Sequence, residues 1–229
     1  MGLGTEQNKS IAKIMYKILI VSMPGSPKRK KASRIFQEQA LSWEWIDGVK
    51  IESMDEIPAW EKDSLEAYHI ERLKFSPEYV CRAVGCKRAM RRALDRAELC
   101  QEEWVVIMQD DAVPVAGFDR ILKELLASAP AEAGAVLLHR CGFTRSPKPS
   151  KLEKMNRDYR SMTSFAVRPV FARVMSEALS AWGGEADRIW KVLLEYGESL
   201  YYASPVIVTC NQKGSDIISG IPELSYLWQ

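Results

Sequence analysis

The stretch Trp104-Val-Val-Ile-Met-Gln-Asp-Asp111 determines how the rest of the sequence is interpreted. Its apolar run is too short for a helix and is typical of a strand that is buried on both faces of a parallel sheet. Asp110 and Asp111 come directly after this run, at the carboxyl end of the predicted strand. Open α/β sheets bind their ligands at such strand ends. The two carboxylates are therefore the first candidates for a functional site.

Segments upstream of this strand predict the neighbouring parts of a parallel sheet. Residues 17–23 form a β-branched apolar run that ends in Pro24-Gly25-Ser26-Pro27, as a buried strand followed by a turn does. Residues 30–41 have helical spacing, and residues 43–49 alternate apolar and polar side chains. Strand, helix and strand in this order predict a parallel βαβ unit.

The remaining elements complete an α/β pattern. Ser76-Pro77-Glu78 opens a predicted helix that continues to residue 99, with an inward face of Val80, Val84, Met90 and Leu94. Further strands are predicted at residues 135–139, 164–167 and 200–209, and further helices at residues 119–128, 169–182 and 185–196. Residues 50–76 are predicted to be an irregular insertion. The pattern predicts a three-layer α/β/α domain with a mostly parallel central sheet over residues 14–229, after a flexible lead-in at residues 1–13.

The composition excludes several classes of protein. Hydrophobic residues make up 47% and charged residues 27% of the chain, which is ordinary for a folded soluble domain and unlike a disordered chain or a membrane bundle. No apolar run reaches the roughly 20 residues of a membrane-spanning helix. The formal net charge of only +2 argues against a nucleic-acid partner. Peripheral association with a membrane stays open.

The cysteines and the basic clusters bear on compartment and ligand. Five scattered cysteines without a CxxC pair indicate free thiols in a reducing compartment, so we expect a cytoplasmic protein. Basic residues cluster at residues 28–31 and at Arg88, Arg91 and Arg92. Such clusters are usually solvated surface, and the alternative is that they bind a phosphate-bearing ligand.

Two interpretations of Asp110 and Asp111 are open from the residues alone. Consecutive carboxylates at a strand end suit Mg²⁺ or Mn²⁺, which in turn neutralises a diphosphate. Alternatively, they cap or turn the segment that continues at Val113-Pro114. His139, at the end of another apolar strand, is predicted to be a core histidine rather than a metal ligand.

An ordered set of motifs resembles glycosyltransferase family 25, the lipopolysaccharide and procollagen galactosyltransferases. In that family a helix containing Gly-Cys precedes a hydrophobic strand ending in Glu-Asp-Asp-Val, as residues 80–88 with Gly85-Cys86 precede residues 105–112 here. Weaker likenesses occur at residues 18–29, 45–49, 164–169 and 212–216, so the resemblance spans residues 17–218. The chain departs from the pattern at two places. Gln109 stands where the family has an acidic residue, and Ala89-Met90 stands where the family has Ser-His.

The resemblance implies a GT-A-type fold and a metal-dependent, inverting transfer of a sugar, with galactose as a candidate. The donor would be a UDP-sugar, the acceptor a hydroxyl group of a glycan or protein, and the cofactor Mn²⁺ or Mg²⁺. Asp111 would be the principal metal ligand, and Asp110 would assist at the metal or the ribose. The nucleotide pocket would also include Met23, Ser26, Arg29 and Asp47.

Inverting transfer needs a general base, and GT-A enzymes commonly place an acidic residue over the acceptor hydroxyl. By this resemblance Asp187, after Gly183-Gly184, is the candidate base and Glu185 is its competitor. Either residue could instead be an N-terminal helix charge that the helix dipole favours. Trp182 and Trp190 are the best placed tryptophans for a sugar-stacking surface, although burial is the usual fate of such residues.

The sequence leaves two alternative functions open. The departures at Gln109, Ala89 and Met90 favour a noncatalytic relative that binds nucleotide sugars or glycans. A different nucleotide-using enzyme, such as a nucleotidyltransferase, is disfavoured because the sequence contains no GxxxxGK or GxGxxG motif.

Overall fold

The computed structural model describes residues 14–69, 77–140, 149–157, 159 and 161–210, with side chains except those of residues 65–69. The predicted lead-in at residues 1–13 and the motif at residues 212–216 lie outside this described part. Within it the strands are β1 (Tyr16–Ser22), β2 (Glu44–Asp47), β3 (Trp104–Gln109), β4 (Ala112–Pro114), β5 (Ala135–Leu137), β6 (Lys151–Lys154), β7 (Ser164–Val167), β8 (Leu200–Ser204) and β9 (Val208–Cys210).

Seven of these strands form one sheet in the order β2-β1-β3-β7-β5-β8-β6, and β4 pairs separately with β9. β1 is parallel to both β2 and β3, and β5 is parallel to β8. β7 and β6 run antiparallel to their neighbours, so five of the seven strands point the same way. The predicted mostly parallel sheet is confirmed, as is the parallel pairing of β1 and β2.

Helices cover both faces of the sheet. They are α1 (Pro27–Glu38), α2 (Ala59–His69), α3 (Pro77–Glu98), α4 (Phe118–Ala127), α5 (Pro169–Ala181) and α6 (Ile189–Glu195), with short 3-10 turns at Met54–Glu56 and Ala186–Arg188. Successive residues of a strand point to opposite faces. Ile18 and Ile20 accordingly share a core with α1 and α4, whereas Leu19 shares a core with α3, α5 and α6. This is the predicted three-layer arrangement.

Local signals explain where the first helix begins. The hydroxyl of Ser26 accepts a hydrogen bond from the Lys28 backbone N–H at 3.2 Å, and Pro27 occupies the first helical position of α1. The predicted α3 is confirmed, and its predicted inward face is buried. In the described part of the chain, no helix is both long and apolar enough to cross a membrane.

The structure differs from the predicted elements in several places. The strands β4 and β6 were not predicted, and α1 begins three residues before the predicted helix at residues 30–41. Residues 50–76 include the helix α2, which the sequence hides because its mostly polar residues form no regular apolar stripe. The helix predicted at residues 185–196 divides into a 3-10 turn and α6. The strand predicted at residues 200–209 divides into β8 and β9 around Pro205, which has no N–H to donate to a ladder.

His139 is a core histidine, as the sequence predicts. It follows β5, is only 4% exposed, and forms a hydrogen bond between its Nδ1 and Ser161 Oγ at 2.7 Å. Burial lowers the pKa of the imidazole from its ordinary value of 6.5 to about 4. The ring is therefore neutral in the folded protein at physiological pH.

The buried imidazole predicts a pH-dependent stability. The unfolded chain protonates His139 near pH 6.5 and the folded chain near pH 4, so this contribution is complete above pH 6.5 and is lost as the pH falls to 4. A shift of this size corresponds to about 3 kcal/mol. Between these pH values, urea unfolding of the wild type should lose that much more stability than unfolding of His139→Gln. Parallel pH profiles would contradict a buried, neutral imidazole.

Candidate functional site

The neighbouring parallel strands β1 and β3 end side by side. Val21 of β1 is aligned with Gln109 of β3, so the next residues, Ser22 and Asp110, lie side by side. Ser22 is 4% exposed, and its hydroxyl donates to Asp110 Oδ2 at 2.5 Å. Ser22 was not among the predicted site residues. Its only sequence signal is a polar residue that ends a buried strand.

Arg29 connects α1 to the ends of β1 and β2. Its Nη2 donates to the Ser22 carbonyl oxygen at 2.8 Å and to Asp47 Oδ1 at 2.5 Å. Its guanidinium carbon lies 5.0 Å from the centre of the Trp45 ring. The structure thus brings together two residues predicted for the nucleotide pocket. Because Arg29 and Asp47 already pair, a phosphate group would compete with Asp47 for the guanidinium.

Met23 and Ser26 have structural partners in the same region. A Cβ atom at Gly48 would lie 3.1 Å from the Met23 backbone nitrogen and 2.6 Å from its Sδ, so glycine lets the chain after β2 pass close to Met23. The Gly48 N–H donates to the Ser22 carbonyl oxygen at 2.8 Å. The Ser26 hydroxyl caps α1. These residues lie next to the ends of β1 and β2, and their role in nucleotide binding stays a prediction.

A cleft of about 280 Å³ opens beside the acidic pair. One wall is the N-terminal half of α1, with Lys28 and Lys31, and the other is formed by Asp110, Asp111 and the start of β4. The positive end of the helix dipole and the two lysines favour an anion, whereas the carboxylates favour a cation. The cleft therefore suits a ligand that carries both charges, such as a metal-bound diphosphate.

Acidic residues also gather around Cys86 of α3. Burial, followed by the nearby carboxylates of Asp187, Asp111 and Glu185, raises the pKa of the Cys86 thiol to about 12. Gln109 also contacts the Cys86 thiol, because its Nε2–H donates to Cys86 Sγ at 3.8 Å. The charges of the predicted base, Asp187, and the predicted metal ligand, Asp111, thus both act on the Cys86 thiol.

Two glycines let the elements of this cluster approach their neighbours. A Cβ atom at Gly85 would collide with the Val49 carbonyl oxygen, so glycine allows α3 to lie against the chain after β2. A Cβ atom at Gly183 would collide with the Ser64 side chain of α2. Larger residues at these positions would displace Cys86 and the turn that carries Asp187.

Glu185 has a structural partner at the start of α3. Its carboxylate accepts a hydrogen bond from the hydroxyl of Tyr79, which is 8% exposed. Burial raises the pKa of Tyr79, and the charges of Glu185 and Asp187 raise it further. Glu185 thus anchors the start of α3 to the turn.

The donor set fits a metal ion that arrives with its substrate. The described residues contain no group of three or more His, Cys, Asp or Glu side chains that could hold a metal ion. Mg²⁺ is commonly bound through one or two carboxylates together with substrate phosphates. Asp110 and Asp111 supply such a pair in a cleft that also presents two lysines. The residues present fit a metal–diphosphate complex better than a metal centre made of protein alone.

Of the two tryptophans considered for sugar stacking, the structure buries Trp190 and leaves Trp182 partly exposed. Trp190 is wholly buried and donates its Nε1–H to the Ser161 carbonyl oxygen at 2.6 Å, so its predicted role in sugar stacking is wrong. Trp182 packs its ring over Gly184 and donates to the Glu185 carbonyl oxygen at 3.1 Å. Trp60 of α2, which no sequence pattern singled out, is 50% exposed.

No family model and no curated protein matches the sequence. Among solved structures, the chain is similar to a CMP:2-keto-3-deoxy-manno-octonic acid synthetase complexed with CTP. The similarity has a TM-score of 0.41 and 10% sequence identity, and it covers 82% of this chain and 88% of that chain. A likeness this weak carries no argument about function, which has to come from the site itself.

The hydrogen bond between Ser22 and Asp110 predicts a measurable contribution to stability. Ser22→Ala should lower the free energy of unfolding by about 2 kcal/mol, because a buried hydroxyl that donates to a carboxylate is lost. Urea unfolding measures the change. Ser33→Ala, at a half-buried serine of α1, is the control and should change stability by no more than about 0.5 kcal/mol. Equal effects of the two substitutions would show that Ser22 does not hold Asp110.

Proposed function

We propose that the chain is a metal-dependent, inverting glycosyltransferase with a GT-A-type fold, acting in the cytoplasm. It transfers a hexose such as galactose from a UDP-sugar to a hydroxyl group of a glycan or protein. The observation that carries the proposal is the placement of Asp110 and Asp111 in a cleft opposite Lys28 and Lys31. The resemblance of the Gly-Cys helix and the acidic strand end to glycosyltransferase family 25 supports it.

On the donor side, residues of this chain bind and orient the UDP-sugar. Lys28 and Lys31 attract the diphosphate, and Asp110 and Asp111 hold the metal ion. When bound, that ion neutralises charge on the diphosphate and so makes UDP a better leaving group. Arg29 lies at the diphosphate and can pair with its oxygens.

The rest of the nucleotide is assigned to the ends of β1 and β2. Asp47 faces the base or the ribose, and Met23 and Ser26 line the turn beside it. The support for these roles is positional, because Arg29 and Gly48 bring the turn after β1 and the end of β2 together at Ser22.

On the acceptor side, Asp187 is the general base. It takes the proton of the acceptor hydroxyl as that oxygen attacks the anomeric carbon of the sugar. The new bond forms on the face opposite UDP, the bond between the anomeric carbon and the phosphate oxygen breaks, and the configuration inverts. The electrostatics of Cys86 support this role, because the charges of both Asp187 and Asp111 raise the pKa of its thiol.

A noncatalytic protein that binds nucleotide sugars or glycans is the second candidate. Ala89 and Met90 occupy the positions of the family's Ser-His and are 3% and 0% exposed, so they contribute only to the core. Gln109 replaces the family's acidic residue with a neutral amide. A measurement of turnover separates the two candidates.

UDP binding should depend on a divalent metal. Isothermal titration calorimetry should give a Kd for UDP at least about tenfold lower with Mn²⁺ than with EDTA, because the metal relieves repulsion between diphosphate and carboxylates. Asp111→Asn should remove most of this gain. Asp55→Asn, which removes an exposed carboxylate from the first 3-10 turn, is the matched control and should bind like the wild type. UDP binding that is indifferent to metal contradicts the proposed donor site.

Turnover tests Asp187. With UDP-galactose as donor, Asp187→Asn should release UDP about 10²–10⁴-fold more slowly than the wild type, while its affinity for UDP is unchanged. Glu185→Gln keeps a carbonyl oxygen that can accept from Tyr79 and should retain most of the activity. Full activity of Asp187→Asn would exclude this residue as the base. Metal-dependent UDP binding without any turnover by the wild type would favour the noncatalytic candidate.

A further inference from the structure

A second cavity, of about 200 Å³, lies between α2, α3 and α5. Three cationic residues of α3, Lys87, Arg88 and Arg91, line it, together with Trp60 and Glu61 of α2. The cleft at Asp110 is lined by other residues. The basic cluster that the sequence shows in α3 is therefore partly the wall of a cavity and not only a solvated surface.

The cavity carries more positive than negative charge. Glu61 is the carboxylate among its described lining residues, and both of its oxygens are engaged. One forms an ion pair with Lys87, whose side chain is 3% exposed, and the other lies 3.3 Å from Arg88 Nη2. Three cations face this single carboxylate, so an excess of positive charge is left at the cavity wall.

Among the described contacts, Glu61 pairs with Lys87 and Arg88 but not with the third cation, Arg91. Its Nε is buried and has no hydrogen-bond partner within the described part of the chain. Burial lowers the pKa of Lys87, and the charges of Arg88 and Arg91 lower it further against the opposing effect of Glu61. Mutual repulsion and an unsatisfied donor are both relieved when an oxyanion accepts hydrogen bonds from these groups.

Trp60 adds an apolar surface to the same cavity. The side chain is half-exposed, and the Lys87 ammonium lies 5.9 Å from the centre of its ring. An exposed indole beside cationic groups can pack against the apolar face of a sugar ring while the cations bind its anionic substituent. The volume is below the roughly 300–1,000 Å³ of pockets for drug-sized ligands, which suits a single ring.

We propose that this cavity binds an anionic monosaccharide unit, in which a phosphate or carboxylate group lies against Arg91 and the sugar ring lies against Trp60. The binding itself does not depend on the proposed glycosyltransferase activity. Lys87 also donates to the Trp182 carbonyl oxygen at 3.0 Å, and the Trp182 indole donates to Glu185, so the cavity adjoins the turn that carries Asp187. We therefore assign the cavity to the acceptor side of the site, and this assignment rests on the proposed function.

Calorimetric titration of the full chain, without UDP or metal, tests the proposal. The probes are glucose 6-phosphate, glucuronate, neutral glucose and inorganic phosphate. At least one of the two anionic sugars should bind about tenfold more tightly than glucose, the difference expected from one charge-assisted hydrogen bond. Glucose 6-phosphate and glucuronate distinguish a phosphate from a carboxylate as the preferred group.

Matched variants locate the binding. Arg91→Gln should weaken binding of the anionic sugar about tenfold, and Arg91→Lys should weaken it less. Arg92→Gln, which removes the same charge from an exposed position of the same helix, should leave the affinity within about twofold of the wild type. Trp60→Ala should weaken binding of the sugar but not of inorganic phosphate. Thermal melts followed by circular dichroism show that each variant is folded.

Three results would overturn the proposal. The first is that neither anionic sugar binds more tightly than glucose. The second is that Arg91→Gln and Arg92→Gln have equal effects, which would indicate attraction by the general surface charge. The third is that Trp60→Ala leaves sugar binding unchanged, which would reduce the cavity to a site for simple anions.

Discussion

Adjacent parallel strands end at the same edge of a sheet, and the candidate site depends on this constraint at β1 and β3. Their register sets Ser22 beside Asp110, where the buried hydroxyl donates to the carboxylate. The carbonyl oxygen of the same serine accepts from Arg29 and from Gly48. One buried residue thus holds the end of β3, the first turns of α1 and the end of β2 in a fixed relation.

The position of the acidic pair at a strand end gives it access to two regions. Asp110 accepts a hydrogen bond from Ser22, and both aspartates line the cleft beside α1. The charge of Asp111 also raises the pKa of the Cys86 thiol in α3. Asp111 is thus the residue that the proposed donor site shares with the surroundings of Cys86. The approach of α3 to the chain after β2 requires glycine at position 85, where any side chain would collide with the Val49 carbonyl oxygen.

The sequence is informative where a feature depends on neighbouring residues along the chain. Buried strands such as β3 follow from local pattern, and β3 was predicted closely. The start of α1 was predicted three residues too late, at residue 30, although Ser26 and Pro27 are a local start signal. Contacts between distant segments were not predictable in this way. The pairing of Arg29 with Asp47 and the cavity between α2 and α3 depend on tertiary packing, which a single sequence does not encode as a pattern.

The missed features have specific physical reasons. The helix α2 is mostly polar and has no regular apolar stripe, so periodicity could not reveal it. Trp190, one of two tryptophans considered for sugar stacking, belongs to the core that α6 forms with the sheet and α5. Ser22 gave almost no signal, because a single serine at the end of an apolar strand is as common in turns as in functional sites.

The central claim is that the end of β3 binds a metal ion together with a nucleotide diphosphate. Anomalous diffraction from a crystal grown with Mn²⁺ and UDP tests it most directly. The account predicts a manganese peak within about 2.5 Å of a carboxylate oxygen of Asp111, in contact with the diphosphate and beside Lys28. A manganese peak elsewhere on the protein, or UDP bound away from this cleft, would contradict it.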